Sequence, residues 1–229
     1  MTYTTLITVE QLQTLQASSA PLMVFDCSFD LGNPAAGSGL YDQGHIPGAV
    51  YAHLDKHLSA KGDPAAASGG RHPLPSRETF AAWLGSVGFA NGMQAVVYDR
   101  QGAHYCGRLW WMLKWLGHEA VAVLDGGFPA WQAAGGAVQT QAPAGQAAAS
   151  FQLKEPAARL VTVAEVQQQL GKDQHIIDAR ALPRFKGEVE PLDPVAGHIP
   201  GALNRPFTNN LGADGKFKPC LLYTSDAAD

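Results

Sequence analysis

Short apolar runs alternate with helix-like apolar stripes through the first half of the chain. The runs predict buried strands at Leu22 to Phe25, Ala95 to Tyr98 and Val121 to Leu124. Each of these runs is followed by a carboxylate, Asp26, Asp99 and Asp125 respectively. The stripes predict helices that open at the capping residues Thr8 and Ser76, and a helix over Cys106 to Leu116. Strands that alternate with helices predict an α/β fold, with a parallel sheet covered by helices on both faces.

Segments rich in glycine, alanine and proline separate these elements. We expect loops at Gly32 to Gly39 and at Lys61 to Arg71, and a turn at Asp125 to Gly127. A short strand is predicted at Val50 to Ala52.

The hexapeptide Gly-His-Ile-Pro-Gly-Ala occurs twice, at Gly44 to Ala49 and at Gly197 to Ala202. Its flanks repeat as well, with offsets of 154 from Thr8 to Thr162, 152 from Asp26 to Asp178 and 153 from His45 to His198. A long and nearly constant offset indicates a duplicated domain with single-residue loop changes.

The repeat predicts the domain boundaries. We expect a first domain over residues 1–138, a linker rich in Ala, Gly, Gln and Pro over 139–158, and a partial second domain over 159–219. At the same offset, the counterpart of Tyr98 falls near residue 251, so the second domain is expected to lack its latter half. Residues 220–229 resemble a translated sequencing adapter, so we expect a non-native tail whose Cys220 is not functional; the alternative is a natural C-terminal tail.

Composition and charge exclude several classes of protein. The 229 residues carry a net charge of -4 without a basic stripe, which argues against a nucleic-acid partner. No apolar run approaches the roughly 20 residues of a membrane span, and the N-terminus lacks the pattern of a signal peptide, so a cytoplasmic protein without a membrane partner is expected. Three scattered cysteines predict neither a disulfide framework nor a zinc site.

Three signatures, in this order and at this spacing, resemble the two-domain rhodanese family of thiosulfate and 3-mercaptopyruvate sulfurtransferases. They are Tyr41 with His45 to Ala49, Leu124 to Phe128 with Trp131, and Arg184 to Gly187 followed by Gly197 to Phe207. The resemblance covers roughly Thr8 to Pro219. It implies tandem rhodanese-like domains, each a parallel sheet flanked by helices, with the second incomplete.

The resemblance also implies the chemistry. A cysteine thiolate in a loop between a strand and a helix attacks the sulfane sulfur of an anionic donor and becomes a persulfide. The persulfide passes the sulfur to a thiophilic acceptor, and arginines hold the anionic end of the donor. The implied partners are therefore a small anionic donor and a thiophilic acceptor, and neither a metal nor an organic cofactor is required.

In the family the nucleophile belongs to the second domain, which places it near residue 252, so no catalytic cysteine is expected in this chain. The corresponding position of the first domain is Asp99. Cys106 is expected to pack in the core, the alternative being a reactive thiol at a helix start. Cys27 is expected to be a small core residue.

Arg184 is the residue that the resemblance assigns to donor binding, and a surface ion pair with Glu188 or Glu190 is the alternative. The mercaptopyruvate branch tends to carry a second arginine shortly after, and Glu190 to Pro194 contains none. This departure argues mildly against a mercaptopyruvate preference.

His45 and His198 have two interpretations: a proton relay, as the family suggests for the first-domain histidine, or hydrogen bonds that stabilise the turn. Recurrence in both domains favours the second. Asp26 and Asp178 are expected to accept hydrogen bonds at strand ends, and an additional role considered for Asp178 is to orient the active-site loop. His53 and His57 lack a third ligand, so a metal site is not expected.

A sulfurtransferase is thus the favoured function. The alternatives are a non-catalytic rhodanese-like module that binds anions or a protein, and a relative of the arsenate reductases or phosphatases of the same fold. The residue in the strand-to-helix loop of the second domain discriminates the first two, since the enzyme requires a cysteine there.

Overall fold

The computed structural model describes residues 2–143, 145 and 147–219. The chain divides into two compact units, Met1–Arg159 and the residues from Leu160 onward. The predicted tail over 220–229, with Cys220, lies outside the described residues.

The first unit is built on a five-stranded parallel sheet in the order β1-β5-β4-β2-β3. Its strands are β1 (Leu6–Ile7), β2 (Leu22–Asp26), β3 (Val50–Tyr51), β4 (Gln94–Tyr98) and β5 (Val121–Leu124). The predicted parallel α/β fold is therefore confirmed. The sequence did not predict β1, because two residues that pair only with β5 form no apolar run of strand length.

Five helices cover this sheet, namely α1 (Val9–Ala17), α2 (Ala36–Gln43), α3 (Arg77–Ser86), α4 (Cys106–Trp115) and α5 (Gly127–Ala133). The predicted caps are present. The Thr8 hydroxyl accepts from the backbone N–H of Gln11, whose side chain accepts from the Thr8 N–H in return. The Ser76 hydroxyl accepts from the backbone N–H of Thr79.

The loop expected at Gly32 to Gly39 is partly wrong, because α2 begins at Ala36. Glycine has a low helix propensity, and Gly37 and Gly39 mask the helix in the sequence. The structure shows why Gly37 is there: a Cβ at this position would overlap the carbonyl oxygen of Ser28 and the hydroxyl of Tyr51. Close packing of α2 on the strand ends overrides local propensity.

The strands bury both of their faces, as their continuous apolar runs predict. On one face Val24, Val96 and Tyr98 form a cluster with residues of α1, α5 and the Gly-His-Ile-Pro-Gly-Ala turn, among them Leu12, Ile46, Phe128 and Trp131. On the other face Phe25 contacts Trp83 of α3 and Phe89, at ring-centroid distances of 6.0 and 5.7 Å. This core holds the carboxyl ends of β2 and β4 side by side.

The segment predicted as a linker lies against the first unit in its second half. Phe151 is buried and stacks on Phe89 at 5.7 Å. The backbone N–H of Ala149 donates to the carbonyl of Gly85 at 2.9 Å, and that of Lys154 to Leu116 at 3.1 Å. A single aromatic anchor thus orders a stretch whose composition otherwise suggests flexibility.

The second unit contains α6 (Val163–Gln169), β6 (Ile177–Asp178), α7 (Leu182–Lys186), β7 (Leu203–Asn204) and a 3₁₀ turn (Phe207–Asn210). Strands β6 and β7 are parallel, with Ile177 opposite Leu203 and Asp178 opposite Asn204. The first unit pairs the repeat-related residues in the same way, Phe25 with Val50 and Asp26 with Tyr51. Ile177 is 55% exposed, whereas Phe25 is fully buried.

No helix within the described part of the chain is both long enough and apolar enough to cross a membrane.

Candidate functional site

Asp99 follows the central strand β4 and is fully buried. One carboxylate oxygen accepts from the backbone N–H groups of Gln101 and Ala103 at 2.9 and 3.0 Å. The other accepts from those of Tyr105 and Cys106 at 2.8 and 3.0 Å. The loop that leads from β4 to α4 therefore wraps its N–H donors around a negative charge, which is the arrangement that stabilises an anion at a strand-to-helix turn. The charge here belongs to a carboxylate, which supplies no sulfur nucleophile.

Both described cysteines are buried thiols. Cys27 and Cys106 are each 1% exposed. Burial raises the pKa of both thiols well above the usual range, and the charge of Asp26 raises that of Cys27 further, as Asp99 does for Cys106. A buried thiol with a raised pKa is inert because the thiolate is the nucleophile. The predicted burial of Cys106 and Cys27 is confirmed.

His45 and His198 make equivalent contacts in the two units. The Nδ1–H of His45 donates to the carbonyl of Tyr41 at 2.8 Å, and the two rings stack at 3.8 Å. The Nδ1–H of His198 donates to Phe185 at 2.7 Å, and these rings stack at 3.7 Å. Each imidazole thus ties the Gly-His-Ile-Pro-Gly-Ala turn to the preceding helix, as a turn-stabilising role requires.

A buried ion pair lies beside the same turn in the first unit. Nη1 of Arg100 donates to a carboxylate oxygen of Asp26 at 2.8 Å, and its Nη2 donates to the carbonyl of Gly44. Asp26 is fully buried, and its other oxygen accepts from the backbone N–H of Ser28 at 2.8 Å. The guanidinium therefore joins the end of β2 to the start of the turn.

The second unit places a guanidinium at the equivalent position but takes it from another point of the chain. Nη2 of Arg180 donates to Asp178 at 2.6 Å and to the carbonyl of Gly197 at 2.7 Å. Asp178 and Gly197 are the repeat partners of Asp26 and Gly44. Arg100 follows β4, whereas Arg180 follows β6, at the position of Ser28 in the repeat. The hydrogen bonds from Arg180 hold the pKa of Asp178 below its usual value.

Arg184 lies in α7 and contacts two carboxylates of its own unit. Its Nη2 donates to Glu190 at 2.8 Å and to Asp193 at 3.0 Å. The ion pair with Glu190, weighed as the alternative to donor binding, is thus present. Its side chain remains 19% exposed.

The structure also assembles a group that the sequence did not single out. Nε2 of His72 lies 3.1 Å from a carboxylate oxygen of Asp55, and Nζ of Lys61 lies 2.7 Å from the same oxygen. Arg108 of α4 donates to the carbonyls of Leu58 and His72 at 2.7 and 2.9 Å, which fixes both ends of the intervening loop. A carboxylate that orients an imidazole is suited to proton transfer. These residues come from three separate segments of the sequence, so their spacing along the chain gave no indication that they form a group.

His53 and His57 contact each other and aromatic rings. The backbone N–H of His53 donates to Nδ1 of His57 at 3.0 Å, and the His57 ring stacks on Trp83 at 5.0 Å. Burial, followed by the charge of a neighbouring His53, lowers the pKa of His57 to about 4. Among the described residues no group of His, Cys, Asp or Glu is arranged to hold a metal ion.

The model of the Rhodanese-like domain matches residues 8–134, which is more than half of the chain. The chain belongs to the rhodanese family. The match includes the Asp99 loop, the Arg100–Asp26 pair and the first of the two repeated turns.

Relatives that match over most of the chain are sulfurtransferases by name. A protein of Pseudomonas aeruginosa, named probable 3-mercaptopyruvate sulfurtransferase, is 44% identical over 216 residues, which cover 93% of this chain and 75% of the relative. The human 3-mercaptopyruvate sulfurtransferase is 34% identical over an alignment that covers 85% of this chain and 65% of the human protein. Thiosulfate sulfurtransferase of Gallus gallus is 34% identical over an alignment that covers 87% of this chain and 68% of the relative.

Solved structures agree in fold. The 3-mercaptopyruvate sulfurtransferase from Leishmania major superposes with a TM-score of 0.78 at 30% identity, covering 97% of this chain and 60% of that one. SseA from Escherichia coli gives a TM-score of 0.78 at 29% identity, and the superposition covers 95% of this chain and 80% of SseA. The chain thus spans between three fifths and four fifths of these two proteins.

The predicted residues fall into two groups, one within each unit. The first unit holds His45 near the Asp99 loop through the shared Arg100–Asp26–Gly44 contacts. The second unit brings Asp178 and His198 together, because Arg180 links Asp178 to the carbonyl that immediately precedes His198. Arg184 joins this group through Glu190, which accepts from Arg180 at 3.4 Å.

Proposed function

We propose that this rhodanese is a sulfurtransferase that moves a sulfane sulfur from thiosulfate or 3-mercaptopyruvate to a thiophilic acceptor through a cysteine persulfide. The observation that supports this most is the 44% identity, over 93% of the chain, to the Pseudomonas aeruginosa relative. In this proposal the first unit is not catalytic, and the second unit contributes the donor site.

The proposed reaction balances without a cofactor for either donor. With 3-mercaptopyruvate the thiolate attacks the donor's sulfur, the carbon–sulfur bond breaks and pyruvate leaves as its enolate; with thiosulfate the steps are as follows. A thiolate attacks the outer sulfur of thiosulfate, the sulfur–sulfur bond breaks, and sulfite leaves with the electron pair. The acceptor then attacks the outer sulfur of the persulfide and regenerates the thiolate. With cyanide as acceptor the product is thiocyanate.

The nucleophile is proposed to lie in the segment of the second domain that corresponds to the end of β4 and the Asp99 loop. The parallel register shared by β2–β3 and β6–β7 supports this, because it aligns the two domains residue by residue up to Asn204. At the repeat offset of 153, the position equivalent to Asp99 is near residue 252. The burial of Cys27 and Cys106 argues against either as a substitute.

Arg184 is proposed to bind the anionic end of the donor. Its side chain is part-exposed, and a planar fork of N–H donors suits a carboxylate or a thiosulfate oxyanion. The supporting roles of Asp178, His45 and His198 are proposed to be structural, since each holds a strand end or a turn.

The alternative is a non-catalytic rhodanese module that binds an anion or a protein. It is favoured by one observation: the two cysteines among the described residues are both buried. An isolated anion site at Arg184 would be sufficient for such a role.

One experiment separates the two. The genomic reading frame is followed past the codon for Pro219, and the extended protein is assayed for thiocyanate from thiosulfate and cyanide beside the 229-residue chain. We expect a cysteine near residue 252 and turnover that is lost when it is replaced by serine. Aspartate or serine at that position would favour the module. Turnover by the 229-residue chain that Cys106→Ser abolishes would instead identify Cys106 as the nucleophile.

A further inference from the structure

The Arg184 guanidinium is held along one edge by Glu190. Nε of Arg184 donates to one carboxylate oxygen of Glu190 at 3.2 Å, and Nη2 donates to the other at 2.8 Å. Nη2 also donates to Asp193 at 3.0 Å. Two parallel N–H···O bonds fix the plane of a guanidinium as well as its position.

Glu190 is itself fixed from behind. The oxygen that accepts from Nη2 of Arg184 also accepts from the backbone N–H groups of Leu192 and Asp193, each at 3.0 Å. The side chain is 5% exposed, and its other oxygen lies 3.4 Å from Nη1 of Arg180. Such a carboxylate cannot swing away without breaking its bonds from two backbone N–H donors and from both guanidinium groups, which makes it a poor candidate for displacement by a ligand.

One end of Arg184 remains available. Among the described residues Nη1 of Arg184 donates no hydrogen bond, and the side chain is 19% exposed. Arg180 differs, since its Nε and Nη2 contact Asp178 and its Nη1 contacts Glu190. Of the two guanidinium groups that meet at Glu190, the one on Arg184 therefore has both Nη1 donors left for an external anion, whereas Nη1 of Arg180 already donates to Glu190.

We propose that Glu190 is a positioning residue, which orients Arg184 so that its Nη1 donors face an oxyanion of the sulfur donor. The inference rests on the proposed function, in which Arg184 binds that donor. Holding the side chain in its bound geometry removes an ordering cost of association, which corresponds to roughly a three- to tenfold gain in affinity.

The test is calorimetric titration of the 229-residue chain with sodium thiosulfate, using Glu190→Asp. Aspartate keeps the charge but is one methylene shorter, so it cannot span both nitrogens of Arg184 from the same backbone. We expect binding to weaken roughly three- to tenfold. The matched control is Glu188→Asp, because Glu188 is 59% exposed and lies 3.9 Å from Lys186. Its affinity should equal that of the unmodified chain.

A second readout separates positioning from a general loss of structure. The Nε–H of Arg184 should exchange slowly with water in the unmodified chain, and faster in Glu190→Asp, while backbone amide resonances outside residues 180–198 stay unchanged. If Glu190→Asp does not fold, Glu190→Gln is titrated instead at 0.3 M salt, where the lost charge is largely screened, and the same weakening is expected.

The outcomes are distinguishable. Unchanged or tighter binding by the Glu190 variants, with Arg184→Met abolishing binding, would overturn the positioning role and leave the donor site intact. Binding that survives Arg184→Met would overturn the proposed donor site itself, and absence of binding by the unmodified chain would overturn both.

Discussion

Removing the Arg100 guanidinium should destabilise the first unit strongly. Arg100→Met leaves the Asp26 carboxylate fully buried without its cation. Breaking a buried pair from one side costs about 3–5 kcal/mol. Asp26 keeps the backbone N–H of Ser28, so the lower end, about 3 kcal/mol, is expected.

The assay is urea unfolding followed by tryptophan fluorescence. All five tryptophans precede Arg159, so the signal reports on the first unit. Lys56→Met is the control, because it also removes a cation but from an exposed position, and its effect should stay within about 0.5 kcal/mol.

The decisive comparison is the double variant Asp26→Asn with Arg100→Met. It loses the same carbonyl contacts as Arg100→Met but carries no buried charge, so it should be more stable than Arg100→Met alone by at least about 1 kcal/mol. A double variant no more stable than Arg100→Met would refute the argument from uncompensated charge.

Three further predictions follow from the first unit. Gly37→Ala should lower the free energy of unfolding by at least about 2 kcal/mol in the same urea assay, because its Cβ would overlap Ser28. Gly39→Ala is the control: the space around Gly39 is open, so this variant should be neutral or stabilising. NMR titration should give His57 a midpoint of about 4. Because the pKa of His57 is lower in the folded state, the unfolded chain takes up the proton first as the pH falls. The free energy of unfolding should therefore decrease as the pH drops from about 6.5 to about 4. A His57 titration midpoint near the ordinary value of about 6.5 would contradict this. In a Cys220→Ser background, a thiol reagent should label Cys27 and Cys106 only after denaturant is added, and rapid labelling of the native chain would contradict their burial.

The sequence was most informative where the signal is local. The strands β2, β4 and β5, the caps at Thr8 and Ser76 and the start of α4 follow from apolar runs and hydrogen-bonding side chains within four residues. The short strand β1 and helix α2 did not, because the first is defined by its neighbour β5 and the second contains glycines that packing requires.

The candidate site shows the same division. A repeated hexapeptide singled out His45 and His198, and a family signature singled out Arg184. The sequence offered Glu188 or Glu190 as an ion-pair partner of Arg184. It could not show that Glu190 holds both Nε and Nη2, because that geometry depends on how the loop after α7 folds.

The sequence by itself determined that a segment of the chain recurs, because identical residues repeat at a nearly constant offset. Only the tertiary structure decided which arginine serves each copy. Arg100 and Arg180 occupy equivalent places beside Asp26 and Asp178, although they come from different points of the repeat. The physical reason is that a carboxylate at the strand end, fully buried in Asp26 and partly buried in Asp178, is stabilised by a cation, and the fold allows side chains from either of two neighbouring loops to reach it.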